Sequence, residues 1–264
     1  MSRFIAWEGR MSDQVIPVAA PIDSDSAGRG GAVATQACMR VVCQSTNSVG
    51  TGFLHSSGLV ITAEHVIRGC STPVLVLSNL SQFNATVVAV DPVLDLALVR
   101  PSTPINAPPL SLSTATGFSI GAHVSTWGYP GGYTGAAPML SAGYLAAMDA
   151  HLVSGQQITR WVVNAAFNAG NSGGPLLLIE TGEVIGVVSS KLAPISPYAQ
   201  SALTALEGQM SGFMYTATRP DGTTENVSEG RVIALILNEL RSQVQLVIGY
   251  AVLLDDLRDR LRMC

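Results

Sequence analysis

The run Asn168-Ala169-Gly170-Asn171-Ser172-Gly173-Gly174-Pro175 sets one hydroxyl among three glycines and closes with a proline. Glycine reaches backbone angles that other residues avoid and lets a second backbone approach closely. A serine on such a turn can have backbone N–H groups aimed near its own Oγ. Acyl transfer to a serine needs that arrangement: an exposed nucleophile beside donors for the developing oxyanion. Alone, a Gly-x-Ser-x-Gly run reads equally well as a Gly-rich surface turn. The other residues decide between the two.

A serine nucleophile needs a base, and the chain has four histidines, His55, His65, His123 and His151. His65 follows the apolar run Val60-Ile61-Thr62-Ala63-Glu64, where packing can hold it while the ring faces a cleft. His55 precedes Ser-Ser-Gly, His123 starts a strand and His151 adjoins a loop, so these three read as structural or surface residues. The base needs an orienter. Asp95 lies inside Val93-Leu94-Asp95-Leu96-Ala97-Leu98-Val99, where a carboxylate is costly unless paired. An imidazolium is the obvious partner. Asp91, just before Pro92, reads better as a turn cap.

Chain order discriminates among serine hydrolases. The elbow of α/β-hydrolases also matches Gly170-x-Ser172-x-Gly174, but it needs Ser, then acid, then His, and every histidine here precedes Ser172. The subtilisin order would draw on Asp13, Asp23 or Asp25, all in a tail-like segment. The order His65, Asp95, Ser172 is that of the chymotrypsin-type double barrel. Thr62-Ala63-Glu64-His65, Asp95-Leu96-Ala97-Leu98 and Gly170-Asn171-Ser172-Gly173-Gly174-Pro175 resemble the three boxes of trypsin-like serine peptidases. Gly50-Thr51-Gly52-Phe53, Gly128-Tyr129-Pro130 and Asn164-Ala165-Ala166-Phe167-Asn168 are most similar to the Deg/HtrA-like branch. The resemblance covers roughly residues 38–191 and 244–255.

The resemblance implies a serine endopeptidase working through an acyl-enzyme. Ser172 would attack the scissile carbonyl, His65 would carry the proton to the leaving amine, and Asp95 would fix the imidazole tautomer. The Gly170-Asn171-Ser172 turn would form the oxyanion hole, through the N–H groups of Gly170 and Ser172. Ser189 matches the serine beside the family's catalytic aspartate, and Ser189, Ser190 and Lys191 would line the substrate by strand pairing. Ala166, followed by Phe167, stands at the base of the primary pocket, which implies small or medium apolar side chains rather than Arg or Lys. Asn171 stands where zymogen-type trypsins carry Asp, so activation by a buried ammonium is not expected. Glu64 puts a charge next to His65. The disulfide beside the catalytic histidine of animal trypsins has no clear counterpart, and the C-terminal PDZ domain usual in the branch is not expected. The alternative is a latent or inactive binding module on the same fold.

The elements that must position these residues are short. The chain of 264 residues is 47% hydrophobic and 12% charged, with 26 glycines, against about 25% charged in typical domains. Brief β-prone runs separated by turns fill residues 39–99 and 124–188, the pattern of an all-β sandwich or barrel. Two packed six-stranded antiparallel β-barrels of the chymotrypsin type are expected: a tail over 1–32, a first barrel over 33–118 and a second over 119–264. Pro101, Pro104, Pro108 and Pro109 mark the connection. Residues 192–243 read as an insertion with a helix over 197–210, a hairpin from Phe213 through Pro220-Asp221-Gly222, and a helix around 232–240. A strand over 244–252 and a C-terminal helix over 254–262 follow. The apolar stripes of the insertion read first as core packing and second as a surface for a protein partner.

A formal charge of -4 with no basic run argues against nucleic acid. No apolar run of about 18 residues argues against a membrane span. Cys38, Cys43, Cys70 and Cys264 show no metal spacing, and the chemistry needs no cofactor or metal. With few thiols and no apolar leader in residues 1–10, a reduced, cytoplasmic protein cleaving protein or peptide substrates is expected.

Overall fold

A computed structural model describes residues 31–115, 117–189, 197–208, 213–218, 222–243, 248–253 and 255–258. Strands β1 (Cys38–Cys43), β2 (Ser48–Leu54), β3 (Val60–Thr62), β4 (Val74–Val76), β5 (Gln82–Asp91) and β6 (Leu96–Pro101) close into one barrel in the order β1-β2-β3-β6-β5-β4. Strands β7 (His123–Gly128), β8 (Met139–Val153), β9 (Gln156–Asn164), β10 (Pro175–Leu178), β11 (Val184–Val188) and β14 (Gly249–Leu253) close a second in the order β10-β11-β14-β9-β8-β7. Every pairing within the two barrels is antiparallel. This is the chymotrypsin-like double barrel.

The apolar runs of β3 and β6 are continuous because both faces are buried. Side chains alternate across a strand. Ala97 and Val99 point into the first barrel with Val60, Val66 and Leu75. Leu96 and Leu98 point outward with Ile61 and Phe53, against Trp127, Leu177, Val187 and Val252 of the second barrel. Burying a side chain such as Leu98 contributes about 1.5–3 kcal/mol. This shared layer therefore holds the barrels rigidly at the seam where the candidate residues meet.

The proline-rich connection runs along the outside of both barrels. Leu110 N donates to Leu54 O at 2.9 Å, and Ser113 N donates to Val184 O at 2.9 Å. Pro104, Pro108 and Pro109 precede these donors and have no N–H of their own to satisfy.

Several expectations need correction. Gly31 and Ala32, expected in the tail, and residues 33–37, expected at the start of the first barrel, form helix α1 (Gly31–Ala37). Its Ala34 and Ala37 are buried in the inter-barrel layer, where small side chains allow close approach. Asp95 is not inside a strand; it ends the turn before β6 at φ 63°. Asp91 caps that turn, accepting from Val93 N and Leu94 N at 2.9 Å. In the insertion, α3 (Pro197–Gly208), the hairpin β12 (Met214–Thr218) with β13 (Thr224–Ser228), and α4 (Glu229–Gln243) follow one another. Helix α4 runs three residues past Leu240, and the strand expected from 244 begins at Gly249; residues 244–247 lie outside the described set. Ala234 is buried, whereas Ile233, Leu235, Ile236 and Leu237 are exposed, so much of the apolar stripe read as core faces outward. Of the closing helix, residues 255–258 are described and helical, with Leu257 buried against the inter-barrel layer.

Candidate active site

His65 lies in α2 (Glu64–Ile67), a single turn directly after β3. The side chain is 34% exposed. Two fixings hold the turn. Thr62 Oγ1 donates to Thr51 O at 2.7 Å, and Cys70, just beyond α2, is disulfide-bonded to Cys43 at the end of β1. This disulfide corrects the expectation of reduced thiols with no bridge near the histidine. Glu64 does not present its charge to His65: Arg68 Nε donates to its carboxylate at 3.0 Å, one helical turn on.

Asp95 faces His65 squarely. His65 Nδ1 is 2.9 Å from Oδ1 and 2.9 Å from Oδ2, and the His65 backbone N–H donates to Oδ1 at 3.0 Å. The left-handed backbone of Asp95 turns the carboxylate back toward α2, and aspartate tolerates that conformation better than most residues. Burial works against the charged carboxylate. The hydrogen bonds and charge of His65, with a hydrogen bond from Ser189, outweigh it and hold the Asp95 pKa below the usual range.

Ser189 is fully buried and its Oγ donates to Asp95 Oδ2. Behind it stands Arg160, which sequence reasoning missed. Arg160 is 3% exposed, and one guanidinium nitrogen donates to Ser189 Oγ at 3.1 Å. Burial lowers the Arg160 pKa, opposed by the charges of Asp95 and Asp256. Arg160 alternates along β9 with Trp161 and Val163 of the second-barrel core, so it faces away from that core, on the side where its partner Val252 packs between the barrels.

Two glycines shape the nucleophile turn. Gly170 has φ 95° and Asn171 N donates to Asn168 O at 2.9 Å, the pattern of a type II turn. A Cβ on Gly170 would lie 2.3 Å from Tyr129 O, and one on Gly173 would lie 2.2 Å from Thr51 O and 2.7 Å from Ala63 N. The first contact closes the turn on the 129–131 loop; the second brings Ser172 beside the strand end that carries His65. Ser172 itself is 3% exposed. The Ala169 carbonyl accepts from Gly131 N at 2.6 Å. Across a trans peptide the Gly170 N–H therefore points the opposite way, and no hydrogen bond among the described residues uses it. Asn171 is fully buried between Gly128 and Gly174, a site where a neutral amide costs far less than an unpaired carboxylate.

Thr51 was also missed as a working residue. Its Oγ1 donates to Gly170 O at 2.6 Å and accepts from Tyr129 N at 3.1 Å, while its N–H donates to Ser172 O at 2.9 Å. One residue of the first barrel thus fixes both ends of the oxyanion turn of the second. Thr51→Val keeps the shape and the backbone bond but loses the hydroxyl. We expect inactivation by a fluorophosphonate to slow about 10- to 100-fold with the fold intact by circular dichroism. An unchanged rate removes Thr51 from the site.

The substrate-pocket residues are less uniform. Ala166 is half-buried, but Phe167 is 7% exposed and its ring packs on Gly249 in the core of the second barrel. Ser190 and Lys191 lie outside the described residues. Of the other histidines, His55 bonds Ser57 and its pKa is lowered by burial, His123 packs edge-on against Tyr144, and His151 lies in β8. Among the described residues no cluster of three His, Cys, Asp or Glu is placed to hold a metal, and no helix is long and apolar enough to cross a membrane.

The chain is similar to known proteins in sequence and in fold. The chain is 34% identical over 185 residues to serine protease Rv3671c of Mycobacterium tuberculosis, covering 68% of this chain and 45% of that protein. It is 29% identical over 154 residues to the periplasmic serine endoprotease DegP of Salmonella typhimurium, covering 57% and 32%. The chain thus spans less than half the length of these relatives. The crystal structure of the inactive form of Rv3671c superposes with a TM-score of 0.54 at 27% identity, over 66% of this chain and 88% of that one. These relatives overturn the expected cytoplasmic location: DegP is named periplasmic, and a further relative, 29% identical over 200 residues, is the magnetosome formation protease MamE of Paramagnetospirillum magneticum. The missing apolar leader carried no weight, since the chain matches only part of each relative. Residues 50–187 match the trypsin-like peptidase domain model, a span running from the glycine strand before His65 to the strand behind Ser172. With the double barrel, the His65–Asp95 pair and this match in hand, the chain belongs to the trypsin-like peptidase family.

Proposed function

We propose that this chain is a serine endopeptidase in which Ser172 attacks the scissile carbonyl, His65 relays the proton and Asp95 orients His65. The observation that carries the reading is the His65–Asp95 pair, with both carboxylate oxygens 2.9 Å from Nδ1. That contact puts the proton on Nδ1 and leaves the Nε2 lone pair to act as base. The Gly170 N–H, turned away from Gly131, and the Ser172 N–H supply the oxyanion donors. His65 then returns the proton to the leaving amine, and water repeats the cycle on the acyl-enzyme. No cofactor enters.

Ala166, without a charge at the pocket base, supports cleavage after small or medium apolar residues. The exposed Ile233, Leu235, Ile236 and Leu237 of α4 support a partner-docking role for the insertion. The Cys43–Cys70 disulfide supports residence in an oxidising compartment.

A peptide library varied at P1, with the fluorophosphonate-labelled residue mapped by mass spectrometry, tests the reading. Label on Ser172 and cleavage after Ala, Val or Leu are expected. Label elsewhere sinks the nucleophile; cleavage confined to Arg or Lys sinks the pocket.

A further inference from the structure

Arg160 is a buried cation three hydrogen bonds away from the base, and the triad reading alone gives it no role. Its effect follows from counting protons. A guanidinium only donates, and a serine hydroxyl has one proton and two lone pairs. With Arg160 donating into Ser189 Oγ at 3.1 Å, the single Ser189 proton is directed to Asp95 Oδ2. Asp95 also takes the His65 backbone N–H at 3.0 Å. Every group around the carboxylate except the imidazole is then a fixed donor. A carboxyl surrounded by donors is held as the acceptor-only anion, which in turn requires the proton of His65 to sit on Nδ1.

We propose that Arg160 is a positioning residue for the triad: through Ser189 it fixes the direction of every proton in the chain Arg160–Ser189–Asp95–His65. The proposal rests on the triad reading above and deepens it. Arg160 reaches no reacting atom; it acts through two others.

The surroundings of Arg160 fit that role. It lies on β9, opposite Val252 of β14 and Asp149 of β8 in the strand register. Asp256, in the helical residues 255–258, acts on it by charge, as does Asp95. Arg258 of the same segment is engaged by Asp255 and Ser113 O. Asp95 and Asp256 thus both act on the cation by charge, and Ser189 joins it to the triad. A positive charge behind the dyad favours the anionic form of Asp95.

The test is the pH dependence of fluorophosphonate inactivation, which needs no knowledge of the substrate. In Arg160→Met, which fills similar volume without charge or donor, the rate on the plateau falls about tenfold. The acid limb moves up by about one pH unit. Arg160→Gln can still donate to Ser189 but has no charge, so its limb moves up while more of the plateau rate is kept. Arg160→Lys, with the charge restored, returns the limb toward wild type. A limb unmoved in the Met and Gln variants overturns the proposal. So does a lowered melting temperature with unchanged rate per folded molecule, which marks a packing role only.

If wild type is labelled normally and Arg160→Met behaves identically, the triad stands and Arg160 is dismissed. If wild type is not labelled at all, the triad reading fails, and the far-downfield proton resonance of the His65 Nδ1–H bond becomes the readout. Its loss in Arg160→Met supports the positioning role, and its persistence at the same position overturns it.

Discussion

Alanine at Ser172 is expected to abolish capture by a fluorophosphonate and to lower peptide hydrolysis by about 10⁶-fold in kcat, with KM little changed. The size follows from what is lost. The nucleophile is the one group for which the turn has no substitute, and the residual rate is that of water attacking within the remaining oxyanion site. The variant also isolates chemistry from folding. The bond from Thr51 N to Ser172 O and the bonds of Gly170 and Gly173 run through backbone atoms that alanine keeps. The melting temperature stays within about 2 °C. Labelling that survives in Ser172→Ala sinks the assignment outright.

Much of this was legible in the sequence, for a physical reason. Gly170 and Gly173 sit where a Cβ would collide with backbone of the 129–131 loop and of β2, so the motif encodes tertiary contact as well as a turn. Chain order then separated this fold from the other serine hydrolases. The short apolar runs of β3 and β6 identified strands because alternate side chains face two different cores. What stayed hidden depends on pairing across the barrels. Thr51 in a glycine-rich strand gives no hint that its hydroxyl bridges Gly170 and Tyr129, because that contact spans 119 residues. Cys43 and Cys70 are 27 residues apart, and only the β1–β2–β3 fold and the α2 turn bring them together. The left-handed turn at Asp95 was masked by its apolar neighbours, since an aspartate before a strand looks the same as one inside it. The insertion shows the opposite limit. Helical spacing located α4, but periodicity says which residues share a face and not whether anything covers that face.

Asp95→Asn is the second large effect, and the surrounding donors determine its form. The His65 backbone N–H is an obligatory donor aimed at Oδ1 at 3.0 Å, so the asparagine amide must place its oxygen there. Its NH₂ then takes the place of Oδ2. There it meets Ser189 Oγ, which already accepts from Arg160, and His65 Nδ1. An amide hydrogen facing Nδ1 favours the imidazole tautomer with its lone pair on Nδ1 and its proton on Nε2. That tautomer cannot take the proton of Ser172. The expected loss in kcat is about 10⁴-fold, the size seen when this tautomer is imposed on other Ser-His-Asp triads. The variant also removes a buried anion while keeping its volume, so the folded structure is retained. The pH profile gives the decisive reading. With Asp95 present, the proposed triad is expected to lose activity in acid, where a general base is protonated. In the asparagine variant the limiting fault is a misplaced proton on a neutral ring, and raising the pH toward the hydroxide-rich range recovers part of the rate. A variant that loses less than about tenfold, or that keeps the wild-type pH profile, shows that Asp95 does not set the tautomer of His65.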